Sequence, residues 1–391
     1  MSVVSFPRFA WSCGEEGSDP LVLHEGAVVR VDEFARSGHL ERQDEDLAAV
    51  AALGVRVWRY GMPWRQVERA PGVYDWSLWD RALAAGERHG LEPVVDLCHF
   101  GLPDHYRGFC EPDWVDGFVR YVEAFLARYP APRWFTPVNE PCISAMYSAL
   151  VGIWNDRKRS HADFANALCH CALANLEAMA RIRADRDGWW VGAEGFTCPV
   201  PAGTEHVAEA ERIRGLAWAV WDLHFGLPMP PETARHFSDV DDAVRSRIDA
   251  LATTANTIAG HDFYPVSVLS VGGTLDAWSI EDRLAAYETT ALRWHERYGV
   301  DFWVAETSNL GLGVDQQPAW LAAFAARVRG MRDRGLPVRG LCWYSRGDQY
   351  DWDTALTQPV GRVTEVGLFD AQRRPRPVAT AFAALARSSG G

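Results

Sequence analysis

Along this 391-residue chain, eight short apolar, β-branched or aromatic runs alternate with longer amphipathic stretches. The strand-like runs cover 9–13, 55–61, 93–99, 134–140, 189–196, 257–264, 301–307 and 338–345. Helical patterns fall between them at 41–53, 77–89, 112–129, 161–183, 279–298 and 318–334, with a last one at 377–386. In the third, Trp114, Phe118, Val122, Phe125 and Tyr129 recur at steps of three and four, which is one face of a helix. Leu284, Tyr287, Ala291, Trp294 and Tyr298 repeat that spacing. Ser77 and Ser279 each precede an Asp by three residues and predict N-caps. Gly54, Gly90, Gly299 and Gly335 each follow a helical stretch just before the next strand, where a helix ends on glycine.

Runs too apolar to alternate between two faces predict a parallel sheet covered by helices on both sides. Eight strand–helix units close most naturally into a (β/α)8 barrel of the α/β class. An open doubly wound sheet is the competitor, and no G-x-G-x-x-G follows any strand to support it. No low-complexity linker and no internal repeat interrupts the chain, so one domain is expected over 1–391. The long 197–256 connection, with Pro228, Pro230 and Pro231, reads as decoration carrying a helix and a loop over the barrel.

Composition narrows the partner. With 39 Lys plus Arg against 52 Asp plus Glu, the formal charge is -13, and no Lys/Arg-rich block interrupts the excess. Nucleic acid and anionic membrane are therefore poor partners, whereas a neutral small molecule is unconstrained. No apolar run approaches the roughly 18 residues that span a bilayer. Residues 1–7 lack a basic segment followed by an apolar one, so no secretory leader is expected there. The eight cysteines form no C-x-x-C pair, and several lie in strand-like runs, as expected of reduced, buried thiols in the cytoplasm. Cys169-His170-Cys171 lies in a helical pattern, where neighbours two apart face different ways, and core packing is expected.

Catalytic groups in such barrels sit where strands end and the following loops begin. Those ends read Cys13-Gly-Glu-Glu16, Arg59-Tyr60, Cys98-His99-Phe100, Asn139-Glu140-Pro141, Glu194, Asp262-Phe263-Tyr264, Glu306-Thr307 and Tyr344-Ser345. Carboxylates dominate. Glu140 and Glu306 each end an apolar strand, where a buried charge is costly without a partner or a task. Two carboxyls facing one cleft suit glycosidic bond cleavage: one donates a proton to the departing oxygen, and the other attacks or activates water. Like charges and burial hold one protonated near neutral pH, while Arg59 keeps the other ionised.

Thr136-Pro-Val-Asn-Glu-Pro141 resembles the acid/base motif of glycoside hydrolase family 1, the β-glucosidase group of retaining barrel enzymes. Val304-Ala-Glu-Thr-Ser-Asn309 is similar to that family's nucleophile motif at the seventh strand. The resemblance implies that Glu140 is the acid/base beside Asn139, and Glu306 the nucleophile. It further implies that Arg59 supports the nucleophile, His99 binds sugar and Tyr264 hydrogen-bonds the nucleophile. The segment from Trp343 to Trp352 resembles the last sugar-binding segment, with Tyr344 at a Trp platform and Asp351 at a Glu that holds the sugar's outer hydroxyls. A cis peptide at Tyr344–Ser345 is implied as well.

The departures cluster in the sugar pocket. Phe100 stands for a Trp, Asp262 for an Asn, Tyr344 for a Trp and Asp351 for a Glu. Glu16 or Asp19 takes the space of an early sugar-binding Gln, with a solvated loop as the other reading for Glu15 and Glu16. Trp58, Trp64, Trp154 and Trp343 are candidates to line the cleft, with core packing as the equal reading for Trp58 and Trp64, and Glu194 is expected to support the site or the substrate. His105, His224 and His261 show no H-x-H spacing, so neither metal nor other cofactor is expected.

The expected activity is retaining hydrolysis of a small β-glycoside. The alternatives are transglycosylation by the same residues and a barrel that binds carbohydrate without cutting it.

Overall fold

The computed structural model describes residues 5–388 of the chain, so Met1 to Val4 of the segment read against a leader lie outside it. Eight strands form a closed barrel: β1 (Ala10–Glu15), β2 (Val57–Gly61), β3 (Glu92–Asp96), β4 (Trp134–Thr136), β5 (Trp189–Val191), β6 (Thr257–Asp262), β7 (Phe302–Thr307) and β8 (Val338–Trp343). Every neighbouring pair is parallel, and β8 closes on β1. A helix follows each strand: α1 (Gln43–Ala52), α2 (Ser77–Arg88), α3 (Asp113–Arg128), α4 (His161–Asp185), α5 (Val207–Phe225), α6 (Ile280–Tyr298), α7 (Gln317–Asp333) and α8 (Pro377–Ser388).

The helix faces are those set by the spacing of apolar residues. α3 buries Trp114, Phe118, Val122 and Phe125, and α6 buries Leu284, Tyr287, Ala291, Trp294 and Tyr298. Ser279 caps α6 in a reciprocal capping box with Asp282. Ser77 does not cap α2. It is the first helical residue, and its N–H donates to Asp75 at 3.0 Å, so the turn belongs to Asp75. Gly54, Gly90, Gly299 and Gly335 all have positive φ, as their positions after helices require.

The 197–256 connection is not merely decoration. Its main helix, α5, takes a place in the barrel's outer ring, where Trp221 packs edge-on to Trp294 at 5.4 Å and against Trp190 of β5 at 5.9 Å. The true additions are smaller. Cys198–Pro201 pairs in parallel with Val268–Val271, and the helix Asp242–Leu251 lies against α4.

Alternation along the strands divides the barrel interior into two layers. On β2, Trp58 and Tyr60 point outward into the core under the helices, while Val57 and Arg59 point inward. Val57, Val94, Trp134, Val191, Ile258, Trp303 and Cys342 fill the lower interior, and Phe6 closes it edge-on to Trp134 at 5.1 Å. One inward step further up, the positions turn polar, with Arg59 on β2 and Asp96 on β3. The apolar plug thus leaves a buried polar layer at the strands' C-terminal ends. All eight cysteines are buried free thiols. Among the described residues, no helix is long and apolar enough to cross a membrane.

Candidate active site

Arg59 organises the polar layer. Its guanidinium donates to Glu306 Oε1 at 2.5 Å, Asp96 Oδ2 at 2.7 Å and Asn139 Oδ1 at 2.5 Å, joining β2, β3, β7 and the β4 loop. Burial alone would strip its charge, but Asp96 and Glu306 outweigh that and hold it protonated. Tyr264 OH donates to the other oxygen of Glu306 at 2.6 Å. Both oxygens of Glu306 thus accept hydrogen bonds, one of them charge-assisted from a cation.

Glu140 sits differently. The chain leaves β4 at Thr136, and Asn139 N–H then bonds Cys98 O at 2.9 Å while Glu140 N–H bonds Ala193 O at 3.1 Å. Glu140 holds a left-handed φ of 38°, an uncommon conformation for a residue with a side chain, at the start of the short helix Pro141–Ala145. Gly195 allows the close approach behind it, since a Cβ there would lie 3.3 Å from Glu140 Oε1 and 2.6 Å from Ile143. Among the described residues no Lys, Arg or His pairs with Glu140. Burial, then the charges of Glu306 and Glu194, push its carboxyl well above the ordinary range.

Glu194 accepts from Cys142 N–H and Gly195 N–H, both at 2.9 Å, so it fastens the turn that carries Glu140. Burial, partly offset by those N–H groups, raises it to about 8.

His99 Nδ1 lies 2.7 Å from Asp96 Oδ2, which fixes the ring, and Asp96 outweighs burial to keep the imidazole's pKa raised. Its Nε2 is 3.4 Å from both Asn139 Nδ2 and Tyr344 OH, and 3.7 Å from Glu16 Oε1. The Tyr344 ring lies parallel to His99 and 5.4 Å from the Arg59 guanidinium. Its hydroxyl donates to Glu15 O at 2.9 Å, and Tyr344–Ser345 is cis. Glu16 accepts from Ser18 N–H at 2.8 Å and Gln349 Nε2 at 3.2 Å, and burial raises its pKa. Glu16 is therefore no solvated loop residue, and neither is Glu15, which Arg346 clamps at 2.6 and 2.9 Å.

Glu140, Glu306, Arg59, Asn139, His99, Tyr264, Tyr344 and Glu16 thus converge. Three other expected residues are placed otherwise. Trp343 points outward into the core and its indole N–H donates to Val366 O at 3.0 Å, so it braces β8. Asp351 is wholly buried, and its carboxylate accepts from Gly361 and Arg362 N–H, both at 2.8 Å, and pairs with Arg36. That carboxylate builds its own loop. Trp352 packs beside Phe100 at 6.2 Å and Trp154 at 6.0 Å.

Trp58, Trp64 and Trp154 are buried packing residues. His224 stacks on Trp190 and His261 on Phe196, while His105 faces Glu68 at 3.6 Å. No group of three His, Cys, Asp or Glu side chains among the described residues is arranged to hold a metal ion.

Asp96 escaped the sequence reading, although an Asp three residues before His99 at a strand end was a usable signal. So did Glu33. Its carboxyl accepts from Tyr350 N–H at 2.8 Å and lies close enough to Glu16 for each charge to disfavour the other.

The sequence model of glycosyl hydrolase family 1 matches residues 30–210. Among curated proteins, a 6-phospho-beta-glucosidase of Clostridium longisporum is 23% identical over 234 residues, covering 56% of this chain and 49% of that protein. The chain thus spans about half the length of that relative, and 20% of an aryl-phospho-beta-D-glucosidase of Bacillus subtilis that is 33% identical over 97 residues. Beta-glucosidase 4 of Oryza sativa subsp. japonica is 23% identical across 90% of this chain and 84% of its own.

Among solved structures, a beta-glucosidase from Thermotoga maritima in complex with deoxynojirimycin superposes with a TM-score of 0.81. It is 16% identical and covers 99% of both chains. The beta-glucosidase of Exiguobacterium antarcticum B7 gives 0.81 at 15% identity over 98% of each chain. The segment that matches the family model carries Arg59, His99 and Glu140, and the whole barrel shares the fold of those beta-glucosidases.

Proposed function

We propose that the chain is a retaining O-glycoside hydrolase acting on a small β-glycoside, with Glu306 as nucleophile and Glu140 as acid/base. The observation that carries this reading is the asymmetry of the two carboxyls. Glu306 takes a hydrogen bond on each oxygen, one of them from Arg59, whereas Glu140 has no cation and a raised pKa. One is therefore an anion aimed into the layer, and the other an acid with a proton to give.

In the first half-reaction Glu306 attacks the anomeric carbon while Glu140 protonates the departing oxygen, giving a glycosyl-enzyme and a free aglycone. In the second, Glu140 takes a proton from water, the water oxygen bonds the anomeric carbon, and Glu306 leaves as a carboxylate. Tyr264 gives up its bond to Glu306 as the ester forms, and Arg59 holds the departing charge. His99, oriented by Asp96, and Glu16 offer hydrogen-bonding groups to sugar hydroxyls.

The sugar in this reading is not phosphorylated. Arg36, beside the outer carboxyl Glu33, is already paired with Asp351, and among the described residues neither Glu16 nor Glu33 has an ion pair with Lys or Arg that would mark a phosphate site. Eight reduced thiols suit a cytoplasmic enzyme.

The test is chromophore release from a panel of aryl β- and α-glycosides by the wild type and Glu306→Gln. Turnover of a β-glycoside that falls by about 10³-fold or more in a folded variant supports the assignment. Near-normal turnover by the variant sinks it. Saturable sugar binding without turnover of any glycoside replaces it with a barrel that binds only.

A further inference from the structure

Asp262 ends β6 with a carboxyl that is 1% exposed, and neither oxygen receives a hydrogen bond from any N–H or O–H of the described residues. Its backbone leaves no freedom to move out. The N–H donates to Glu194 O at 2.9 Å, the carbonyl accepts from Phe196 N–H at 3.0 Å, and a register shift after His261 sets Asp262 opposite Glu306. The side chain lies within hydrogen-bonding reach of the Glu140 carboxyl. Two ionised carboxylates present acceptors only and repel each other. Contact between them is stable when a proton sits between the two.

The groups that face Asp262 from the elements packed against it are mostly acidic. Glu140 faces Asp262 from the loop after β4, Glu194 from the end of β5, and Glu306 from β7. Tyr264 and Cys342 are its neutral titratable neighbours. Among the described residues, Arg59 is the cation that acts on Asp262, and its hydrogen bonds go to Glu306, Asp96 and Asn139. We propose that Asp262 and Glu140 form a proton-sharing carboxyl pair, with Asp262 as the positioning residue that keeps a proton at the catalytic acid.

The inference rests on the proposed role of Glu140, and the charges balance through that cycle. At rest Glu306 carries one negative charge and the pair, holding one proton, carries another. When Glu306 becomes an ester, the pair has passed its proton to the leaving oxygen and carries both charges. Deglycosylation returns the water proton to the pair as Glu306 regains its charge. The total charge beside Arg59 stays constant, so its cation matches every stage. Burial and the neighbouring carboxylates raise both Asp262 and Glu140, in keeping with a retained proton.

Two measurements test this, one of which needs no substrate. A proton held by the native state and released on unfolding adds stability at low pH that is lost as pH rises from about 4 toward the raised native value. The Tm of the wild type should therefore fall relative to Asp262→Asn between about pH 5 and 8. Glu140→Gln should flatten the curve in the same way, and the double variant should add little further. Parallel curves for wild type and Asp262→Asn, or fully additive slopes, overturn the pair. Should Asp262→Asn fail to fold, an unchanged slope in Glu140→Gln overturns it equally.

Where an aryl β-glycoside is turned over, the alkaline limb of kcat/KM should move down by about one pH unit or more in Asp262→Asn. A purely structural role would lower the rate without moving that limb. Coupled stability curves with no turnover of any glycoside would leave the pair standing and the hydrolase reading fallen. Turnover with an unmoved limb and parallel curves would do the reverse.

Discussion

The Glu306 carboxylate shows how much one side chain is asked to do. In the proposed role it needs a charge partner in a layer from which water is largely excluded, yet must remain reactive enough to form a bond. Arg59 meets the first need through charge, and Tyr264 tempers the second by holding one oxygen at 2.6 Å. Removing only the phenolic oxygen separates the two roles. Tyr264→Phe keeps the ring and the packing but leaves Glu306 Oε2 without its donor, so turnover of an aryl β-glycoside should fall by about 10- to 100-fold. The Tm should move little, because the unpaired oxygen still faces a polar site. A rate within twofold of wild type would mean that Tyr264 merely fills space beside Glu306.

At the scale of elements, the site depends on strands whose inward steps are strictly kept. Gly260 shows the tolerance: a Cβ there would lie 1.9 Å from Gly192 O, inside the backbone of the chain leaving β5. The strand that delivers Asp262 can therefore approach its neighbour only as glycine. Gly260→Ala should cost about 3 kcal/mol or more and lower Tm, with activity lost in proportion to the folded fraction. An unshifted Tm would mean that the two strands part at no cost.

The same alternation explains what could and could not be read in advance. Apolar runs and helix faces marked out all eight strands and seven of the eight outer helices, because burial on both faces leaves a clear signature; only α5 was hidden in the 197–256 connection. Strand ends were less legible. The runs continue to Glu140 and Phe196, yet the ladder stops at Thr136 and Val191, where backbone groups turn to neighbouring loops instead. Trp343 is expected near the sugar because it opens the segment that resembles a sugar-binding one. The inward set Gly340, Cys342 and Tyr344 places it outside, so two-residue periodicity held the answer and residue type did not. Asp351 was illegible for another reason. Whether a buried carboxylate serves a ligand or its own loop depends on Arg36 and Gly361, which the chain brings to it from 315 and 10 residues away.

Across the whole molecule, charge is arranged so that cations are consumed structurally. Arg346 and Arg373 tie the segments after β8 to Glu15 on β1 and Asp46 on α1, across the seam where the barrel closes. Arg36 is committed to Asp351, and Arg59 to Asp96 and Glu306 in the buried polar layer. Among the described residues, Glu16 and Glu33 have no ion pair to Lys or Arg, inside a chain of formal charge -13.

A phosphate adds about 1.5–2 negative charges. Placed on the sugar's outer hydroxyl, it would meet those carboxyls locally and the net charge at long range. An aryl β-glucoside should therefore be cleaved with a kcat/KM at least about tenfold higher than its 6-phosphate at low ionic strength. Added salt should narrow that gap, since the long-range part is screened beyond roughly 10 Å at 0.1 M, while the local part persists. Preference for the phosphorylated substrate would overturn this view of the pocket. It would require Arg36 to leave Asp351 when substrate binds, and Asp351→Asn, which frees that cation, should then favour the phosphate further.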